Sequence, residues 1–190
     1  MSVVTIAEAW PEIGRPFTVD DLDRMPDDGH RYELVDGVLI VSPAPTNRHQ
    51  YVLSELLFTL RQVCPAALAA LIGPGVMMSA NTELIPDVVV TQAEHLAGAK
   101  LEVPPLLVAE VRSPSTAVFD LNTKKAVYER FGIQSYWIVV PDVNTPELIV
   151  FELRGGRYKQ VAHVSGDEVY AAERPFPVEV VPSRLVAKLR

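Results

Sequence analysis

Two carboxylates stand in segments of the sequence that are otherwise apolar. Asp87 follows Pro86 and opens a Val-Val-Val run, and Glu110 interrupts the segment LLVAEV. Proline cannot donate to a sheet ladder, so Asp87 is expected near the start of a strand, whereas Glu110 lies near the end of one. Carboxylates are ligands that Mg²⁺ (or Mn²⁺) prefers, and two of them at strand ends indicate a metal site. Two acids that cap strands and face solvent would leave the same pattern, so both interpretations stay open.

A lysine on the next predicted helix has the position to join these acids. Helical periodicity runs over residues 117–131, and Lys124 lies in the middle of the apolar side of that helix, with Leu121 and Tyr128. A lysine on a buried side needs a carboxylate partner or a route to solvent. The alternative is a surface pair between Asp120 and Lys124 at the (i, i+4) spacing, and it also remains open.

Two acids and a lysine around a divalent cation form a set that can cleave phosphodiester bonds. The metal and the lysine would stabilise the extra negative charge of the pentacoordinate phosphate and help to activate water. The net charge of −7 argues against a protein that coats nucleic acid non-specifically. It does not exclude a local site, because a bound cation can supply the positive charge that phosphates need.

The predicted elements alternate between helices and strands. A short helix at 17–26 precedes a hairpin at 31–42, whose turn is Asp36-Gly37, and a helix follows at about 48–63. Apolar strand-like runs then flank the helix at 117–131 and fill the C-terminal third. This order predicts an α/β or α+β fold with a central mixed β-sheet flanked by helices.

Composition predicts one globular domain. A chain of 190 residues with 48% hydrophobic and 22% charged residues has ordinary globular composition. Cys64 is its single cysteine, which excludes an intrachain disulfide and a cysteine-based zinc site. No apolar run is long enough to span a membrane and the N-terminus lacks the pattern of a secretory signal, so we expect a soluble, cytoplasmic protein. We divide the chain into an N-terminal helical extension at 1–30 and a single domain at 31–190.

Several motifs occur in a fixed order along most of residues 31–142. They are RYELVDG at 31–37, SPAPTNRHQ at 42–50, Pro86-Asp87, EVRSPST at 110–116, and Asp120-x-x-x-Lys124-x-x-x-Tyr128 followed by GIQSYWIV. In these motifs the sequence resembles the Uma-two family of bacterial proteins, within the PD-(D/E)XK restriction-endonuclease-like superfamily. The resemblance implies a four-stranded mixed sheet core with flanking helices. It also implies a metal site made by the aspartate of the Pro-Asp pair and the glutamate of the next strand.

The chain departs from the superfamily pattern after the glutamate. Where that pattern has a lysine two residues after the acid, Glu110 is followed by Val111 and Arg112. Arginine stays protonated and cannot act as a base, although it can bind phosphate. In relatives of this kind the lysine has moved to the following helix, and Lys124 fits that description better than Lys125 does because of its helical phase.

The resemblance extends the site to further residues. Glu33 matches an acid that points at the metal or orients its water, although a solvent-facing position on the hairpin would suit it equally well. The backbone carbonyl of Val111 is a candidate metal ligand beside Asp87 and Glu110. Three residues are candidate phosphate contacts, namely Arg112, Lys125 and His49. His49 lies at a helix N-terminus that favours anions, but a structural role there is also open.

Two hypotheses follow for the function. The first is a Mg²⁺-dependent (or Mn²⁺-dependent) endonuclease acting on nucleic acid, with DNA favoured over RNA, in which Asp87, Glu110, Lys124 and Glu33 are catalytic. The second is a non-catalytic nucleic-acid-binding or assembly module that keeps the nuclease fold, and the arginine at 112 favours it. We expect a homodimer, because relatives with this fold often pair to cut two strands.

Overall fold

The computed structural model describes residues 14–112 and 119–189, with the backbone alone at 119–121. The strands of this part of the chain are β1 (Arg31–Val35), β2 (Val38–Ser42), β3 (Leu68–Ile72), β4 (Val76–Ser79), β5 (Thr82–Leu84), β6 (Val88–Gln92), β7 (Leu107–Val111), β8 (Ser135–Val140), β9 (Glu147–Arg154), β10 (Arg157–Ser165), β11 (Tyr170–Ala172) and β12 (Val178–Val180). The α-helices are α1 (Val19–Leu22), α2 (Asn47–Val63), α3 (Lys125–Phe131) and α4 (Pro182–Leu185).

The larger sheet has six strands in the order β10-β9-β8-β7-β6-β3. Its β7 and β8 run parallel, whereas the other neighbouring strands are antiparallel, so the sheet is mixed. The sheet therefore exceeds the four strands that the family resemblance implies. The additional width arises because β3 pairs with β6 at one edge and the β9–β10 hairpin extends the other.

A second sheet of four strands has the order β2-β1-β5-β4. Its β1–β2 hairpin turns at Asp36-Gly37, where both residues have positive φ (48° and 81°), as a two-residue type I′ turn requires. The chain leaves this smaller sheet after β5 and enters the larger sheet at β6. Residues 85–87 are therefore the direct connection between the two sheets.

Apolar residues cover both faces of the larger sheet. On one face, α2 packs Val52, Leu56 and Leu60 against strand residues such as Val88 and Trp137. On the other face, α3 and the smaller sheet pack against strand residues such as Val89, Val108 and Tyr136. Because side chains alternate along a strand, Glu110 shares the second face with Val108. Glu110 on β7 thus lies on the side of the sheet that faces α3 and meets Lys124, which directly precedes α3.

The predicted fold class is confirmed: a central mixed sheet is flanked by helices. The hairpin and the helix beginning near residue 48 lie where the sequence predicts them, and Thr46 caps α2 by accepting the N–H of His49. The helix predicted at 117–131 has a different form. Its first residues lie outside the described part of the chain, Phe119–Lys124 is π-helical, and only Lys125–Phe131 is α-helical. Strands β5 and β12 were not predicted.

The division at residue 30 stays a prediction, since residues 1–13 are not described. Within the described residues, no helix is long and apolar enough to cross a membrane.

Candidate active site

The connection between the two sheets is held by side chains of β1. Alternation along the strand places Arg31 and Glu33 on the same face. The Glu33 carboxylate accepts the N–H of Ile85 at 2.9 Å, and the Arg31 guanidinium donates to the Ile85 carbonyl at 3.3 Å. Both backbone groups of Ile85 are thus bonded to β1. These bonds position the following Pro86-Asp87 pair at the start of β6.

Asp87 is a buried carboxylate with several donors. Its Oδ2 accepts the backbone N–H of Val111 at 2.8 Å, and its Oδ1 lies 3.1 Å from Nη1 of Arg31 and 3.2 Å from Nε2 of His49. Burial raises the pKa of Asp87, but the hydrogen bond from His49 and the charges of His49 and Arg31 outweigh it and lower that pKa to about 2. Asp87 is therefore ionised at neutral pH.

Glu110 lies on β7, the strand next to β6, which Asp87 directly precedes. The antiparallel register pairs Val88 with Ala109, so Asp87 and Glu110 are the residues that adjoin this pair, and Asp87 accepts the N–H of Val111 from β7. Oε1 of Glu110 accepts the Tyr128 hydroxyl at 2.6 Å. The same oxygen lies 3.0 Å from Nζ of Lys124.

Lys124 is a buried lysine that lies between two acids. Its side chain is 2% exposed, and its ammonium lies 3.0 Å from Oε1 of Glu110 and 3.1 Å from Oε1 of Glu33. The sequence left open a surface pair between Lys124 and Asp120, but a lysine buried in this way is not a surface residue. The side chain of Asp120 is outside the described atoms. Glu33 is buried as well, and does not occupy the solvent-facing position that the sequence left open.

These contacts bring together side chains from both sheets, from their connection and from three helical segments. We call the group the carboxylate cluster. It consists of Glu33, Asp87 and Glu110 with their partners Arg31, His49, Lys124 and Tyr128.

Comparison with known proteins identifies the chain's relatives. Residues 19–186 match the family Uma2, whose description reads "Putative restriction endonuclease". The chain belongs to the Uma2 family. Comparison with curated proteins gives no match.

A solved structure shares the Uma2 chain's fold. It comes from Anabaena variabilis and is described as "a putative nuclease belonging to DUF820". The TM-score is 0.71 at 18% sequence identity, over 92% of this chain and 100% of the other. At this identity the similarity shows the fold alone.

The three candidate phosphate contacts of this Uma2 chain differ in position. His49 lies in the carboxylate cluster, where it bonds Asp87. Arg112 directly follows β7, is partly buried, and donates its backbone N–H to Val139. The Lys125 ammonium lies 3.9 Å from the centre of the Phe151 ring, which is a cation–π contact outside the cluster.

Sequence reasoning gave no site role to two residues of the cluster. Arg31 belongs to the RYELVDG motif, and its spacing of two residues from Glu33 on a predicted strand would have placed both on one face. Tyr128 was assigned to the apolar side of its helix. Its spacing of four residues from Lys124 was visible, but nothing in the sequence showed that its hydroxyl would reach Glu110.

The donor set of the cluster fits a hard divalent cation. Among the described residues, no group of three or more histidines, cysteines and acids has the arrangement of a metal site. Mg²⁺, however, is often held by one or two carboxylates with waters completing the shell. Asp87 directly precedes β6, Glu110 lies on the adjacent strand β7, and Val111, whose N–H binds Asp87, is one residue further along β7. Oxygen donors of this kind suit Mg²⁺ or Mn²⁺ better than a softer metal.

Proposed function

We propose that this protein is a metal-dependent endonuclease that hydrolyses phosphodiester bonds in nucleic acid, with DNA favoured over RNA. The observation that carries the proposal is the position of Lys124, whose buried ammonium contacts Glu110, the residue next to the Val111 that binds Asp87. Two carboxylates with an adjacent cationic donor form the set that phosphodiester hydrolysis needs. Membership of a family whose description reads "Putative restriction endonuclease" supports the same conclusion.

Asp87, Glu110 and the Val111 carbonyl would hold Mg²⁺ or Mn²⁺. Such a cation, when bound, supplies Lewis-acid stabilisation of the phosphate and lowers the pKa of water. The chain's own contribution is to keep Asp87 ionised and to fix both carboxylates in place. The Val111 N–H and the Tyr128 hydroxyl each bind one of these carboxylates, which limits their rotation.

Lys124 would contribute a fixed positive charge. An ammonium that is already withdrawn from water interacts strongly with charge that develops in the transition state, and it needs little reorganisation to do so. Glu33 contacts the Lys124 ammonium at 3.1 Å, so this acid would lie close to any water or phosphate oxygen that Lys124 binds. We therefore assign to Glu33 the role of orienting Lys124 and assisting in proton transfer.

The second candidate function is a non-catalytic module, and one observation favours it. Each acid of the carboxylate cluster already has a cationic partner within the chain, so the network is satisfied without an ion. The opposing argument is energetic. Buried ion pairs often stabilise a protein no more than apolar residues of the same volume would, so such a network is costly to keep for structure alone.

A cleavage assay separates the two functions. The purified chain would be incubated with single-stranded and double-stranded DNA and RNA, with Mg²⁺, with Mn²⁺ and with chelator. The test variants are Asp87→Asn and Lys124→Met. The matched controls are Asp27→Asn and Lys159→Met, because both of these side chains are exposed and lie outside the cluster.

We expect cleavage that requires the divalent ion, is lost at least about 100-fold in both test variants, and is unchanged in both controls. Test variants that fold and cut as well as the parent would contradict the proposal. Ion-independent binding of nucleic acid without cleavage would favour the module instead.

A homodimer and a cytoplasmic location belong to the same proposal, and light scattering at micromolar concentration tests the dimer.

A further inference from the structure

Arg31 is the most solvent-accessible charged member of the carboxylate cluster. Its side chain is 26% exposed, compared with 13% for His49 and 2% each for Asp87 and Glu110. Lys124 is buried to the same extent as the acids. An ion that approaches the acids from solvent therefore meets Arg31 and His49 first.

The two carboxylate oxygens of Asp87 differ in the kind of donor that binds them: one has a backbone donor and the other has side-chain donors. Oδ2 accepts the N–H of Val111, which belongs to the backbone of a central strand and cannot move away. Oδ1 is bonded by two side chains, Arg31 and His49. A ligand that requires an oxygen of Asp87 would therefore take Oδ1, at the expense of those side chains.

Arg31 is also the permanent positive charge on that oxygen. Burial lowers its pKa, but the charges of Glu33, Asp87 and Glu110 outweigh burial and raise it, so the guanidinium stays charged. It interacts with three acids at once and would repel a second cation close to Asp87. Arginine has a long side chain, and its partial exposure leaves it a path towards solvent.

We propose that Arg31 is an exchangeable counter-ion of Asp87, which a divalent cation displaces from Oδ1 when it binds. This inference rests on the metal site of the proposed function. Arg31 neutralises the cluster before the ion arrives, and its presence weakens the binding of the ion. It is a positioning residue rather than a metal ligand.

The test measures Mn²⁺ binding in the absence of nucleic acid, by calorimetry and by the loss of the free-Mn²⁺ electron-paramagnetic-resonance signal. The variants are Arg31→Met, Arg31→Gln and Arg31→Lys. Arg31→Gln keeps a donor for the Ile85 carbonyl and serves if Arg31→Met does not fold. The matched control is Arg130→Met, because Arg130 pairs with Asp36 at 2.7 Å at an exposed position outside the cluster.

We expect folded Arg31→Met and Arg31→Gln to bind Mn²⁺ about tenfold tighter than the parent, since a competing positive charge has been removed. Arg31→Lys, which keeps the charge, should lie close to the parent, and Arg130→Met should not differ from it. Asp87→Asn added to Arg31→Met should abolish the gain.

The outcomes distinguish this inference from the proposed function. If the parent binds Mn²⁺ and neither uncharged variant binds it more tightly, the counter-ion role is wrong and the metal site stands. If neither the parent nor the uncharged variants bind Mn²⁺, the metal site itself is wrong and the counter-ion role fails with it. Equal tightening in Arg31→Lys would show that charge is not the cause, which also overturns the inference.

Discussion

At the scale of single residues, the carboxylate cluster is a set of charges that depend on one another. Lys124 is 2% exposed, and the two carboxylates that it contacts, Glu33 and Glu110, are exposed to the same extent. Removing one partner from a buried ion pair leaves an uncompensated charge in a poorly solvated environment. The cluster therefore affects stability mainly because removing one of its charged partners lowers the free energy of unfolding.

The first prediction concerns Lys124. Lys124→Met should lower the free energy of unfolding by about 3–5 kcal/mol, because Glu33 and Glu110 lose their shared cation. Adding Glu33→Gln should recover part of this loss, since it removes one of the uncompensated charges. Urea denaturation at pH 7 measures both variants, with Lys159→Met expected within about 0.5 kcal/mol of the parent. A loss below about 1 kcal/mol for Lys124→Met would show that the ammonium is not buried as described.

The second prediction concerns the Tyr128 hydroxyl. Tyr128→Phe keeps the ring, which packs edge-on against Tyr136, and removes the 2.6 Å hydrogen bond to Glu110. A bond to a charged acceptor contributes about 1.5–3 kcal/mol. Tyr158→Phe is the matched control, because the Tyr158 hydroxyl donates to a neutral carbonyl, that of Ile133, at 2.9 Å. We expect the smaller loss, about 1 kcal/mol, for the control. Equal losses in the two variants would show that the bond from Tyr128 to Glu110 is no stronger than a bond to a neutral carbonyl, which contradicts the prediction.

At the scale of secondary structure, the β1–β2 hairpin determines which side chains reach the cluster. The period of a strand is two residues, so a slip of one residue would replace Arg31 and Glu33 with Tyr32 and Leu34 on the cluster side. The type I′ turn at Asp36-Gly37 fixes the register, and β1 pairs with β2 from Arg31↔Ser42 to Val35↔Val38. The turn and the chemistry of the site are therefore connected through the register of β1.

The third prediction concerns this turn. Gly37 has a φ of 81°, and an added Cβ would lie 2.5 Å from Cβ of Pro16. Gly37→Ala should therefore cost more than the roughly 1 kcal/mol of left-handed backbone strain alone, and about 2–3 kcal/mol is expected. Gly155→Ala is the control, because Gly155 also has positive φ (61°) but has nothing within 4 Å of the added atom. Thermal denaturation of both variants provides the comparison, and equal costs would argue against close packing of residue 16 on the turn.

The fourth prediction concerns helix α1 and pH. Asp21 accepts hydrogen bonds from Arg15 and from the backbone and hydroxyl of Thr18, which caps α1. The hydrogen bond from Arg15 lowers the pKa of Asp21, with Thr18 adding to the effect and burial opposing it. Since the pKa is lower in the folded state, the stabilisation is complete above the unfolded value of about 3.9 and is lost as pH falls below it.

Asp21→Ala should accordingly cost about 1–2 kcal/mol at pH 7, and the difference from the parent should shrink below about pH 4. Asp20→Ala is the control, because Asp20 is exposed in the same helical turn. Denaturation curves between pH 7 and pH 3 test the prediction, and a difference that grew on acidification would contradict the sign.

At the scale of the whole molecule, the fifth prediction is that divalent ions stabilise the fold. An ion that binds only the folded chain adds about 2.7 kcal/mol at a concentration one hundred times its dissociation constant, which raises the Tm of a chain this size by roughly 5–10 °C. Scanning calorimetry with Mn²⁺ and with chelator measures the shift. Asp87→Asn should abolish it, whereas Asp27→Asn should retain it. A shift of equal size in Asp87→Asn would place the ion elsewhere.

The sequence predicted the elements of the fold better than their assembly. Periodicity and turn residues located the β1–β2 hairpin and α2, because those signals are local. Strand β5, with only three residues, gave no such signal, and the pairing of β3 with β6 depends on contacts distant in the sequence. The π-helical form of Phe119–Lys124 also escaped prediction, since an α-helical period of 100° per residue was assumed.

The same distinction applies to the carboxylate cluster. The acids at 87 and 110 stood out because charge is conspicuous in an apolar strand, and Lys124 stood out for the same reason on a helix. Arg31 and the Tyr128 hydroxyl did not stand out. Arginine is ordinary at the start of a hairpin, and tyrosine is ordinary on an apolar helix face, so their roles emerge only from distances in three dimensions.

The short link at residues 85–87 makes the cluster depend on packing between the two sheets. Without β1, the backbone of Ile85 would lose its hydrogen bonds from Arg31 and to Glu33, and Lys124 would lose one of its two acids. The cluster is therefore complete only in a chain whose smaller sheet is packed against the larger one.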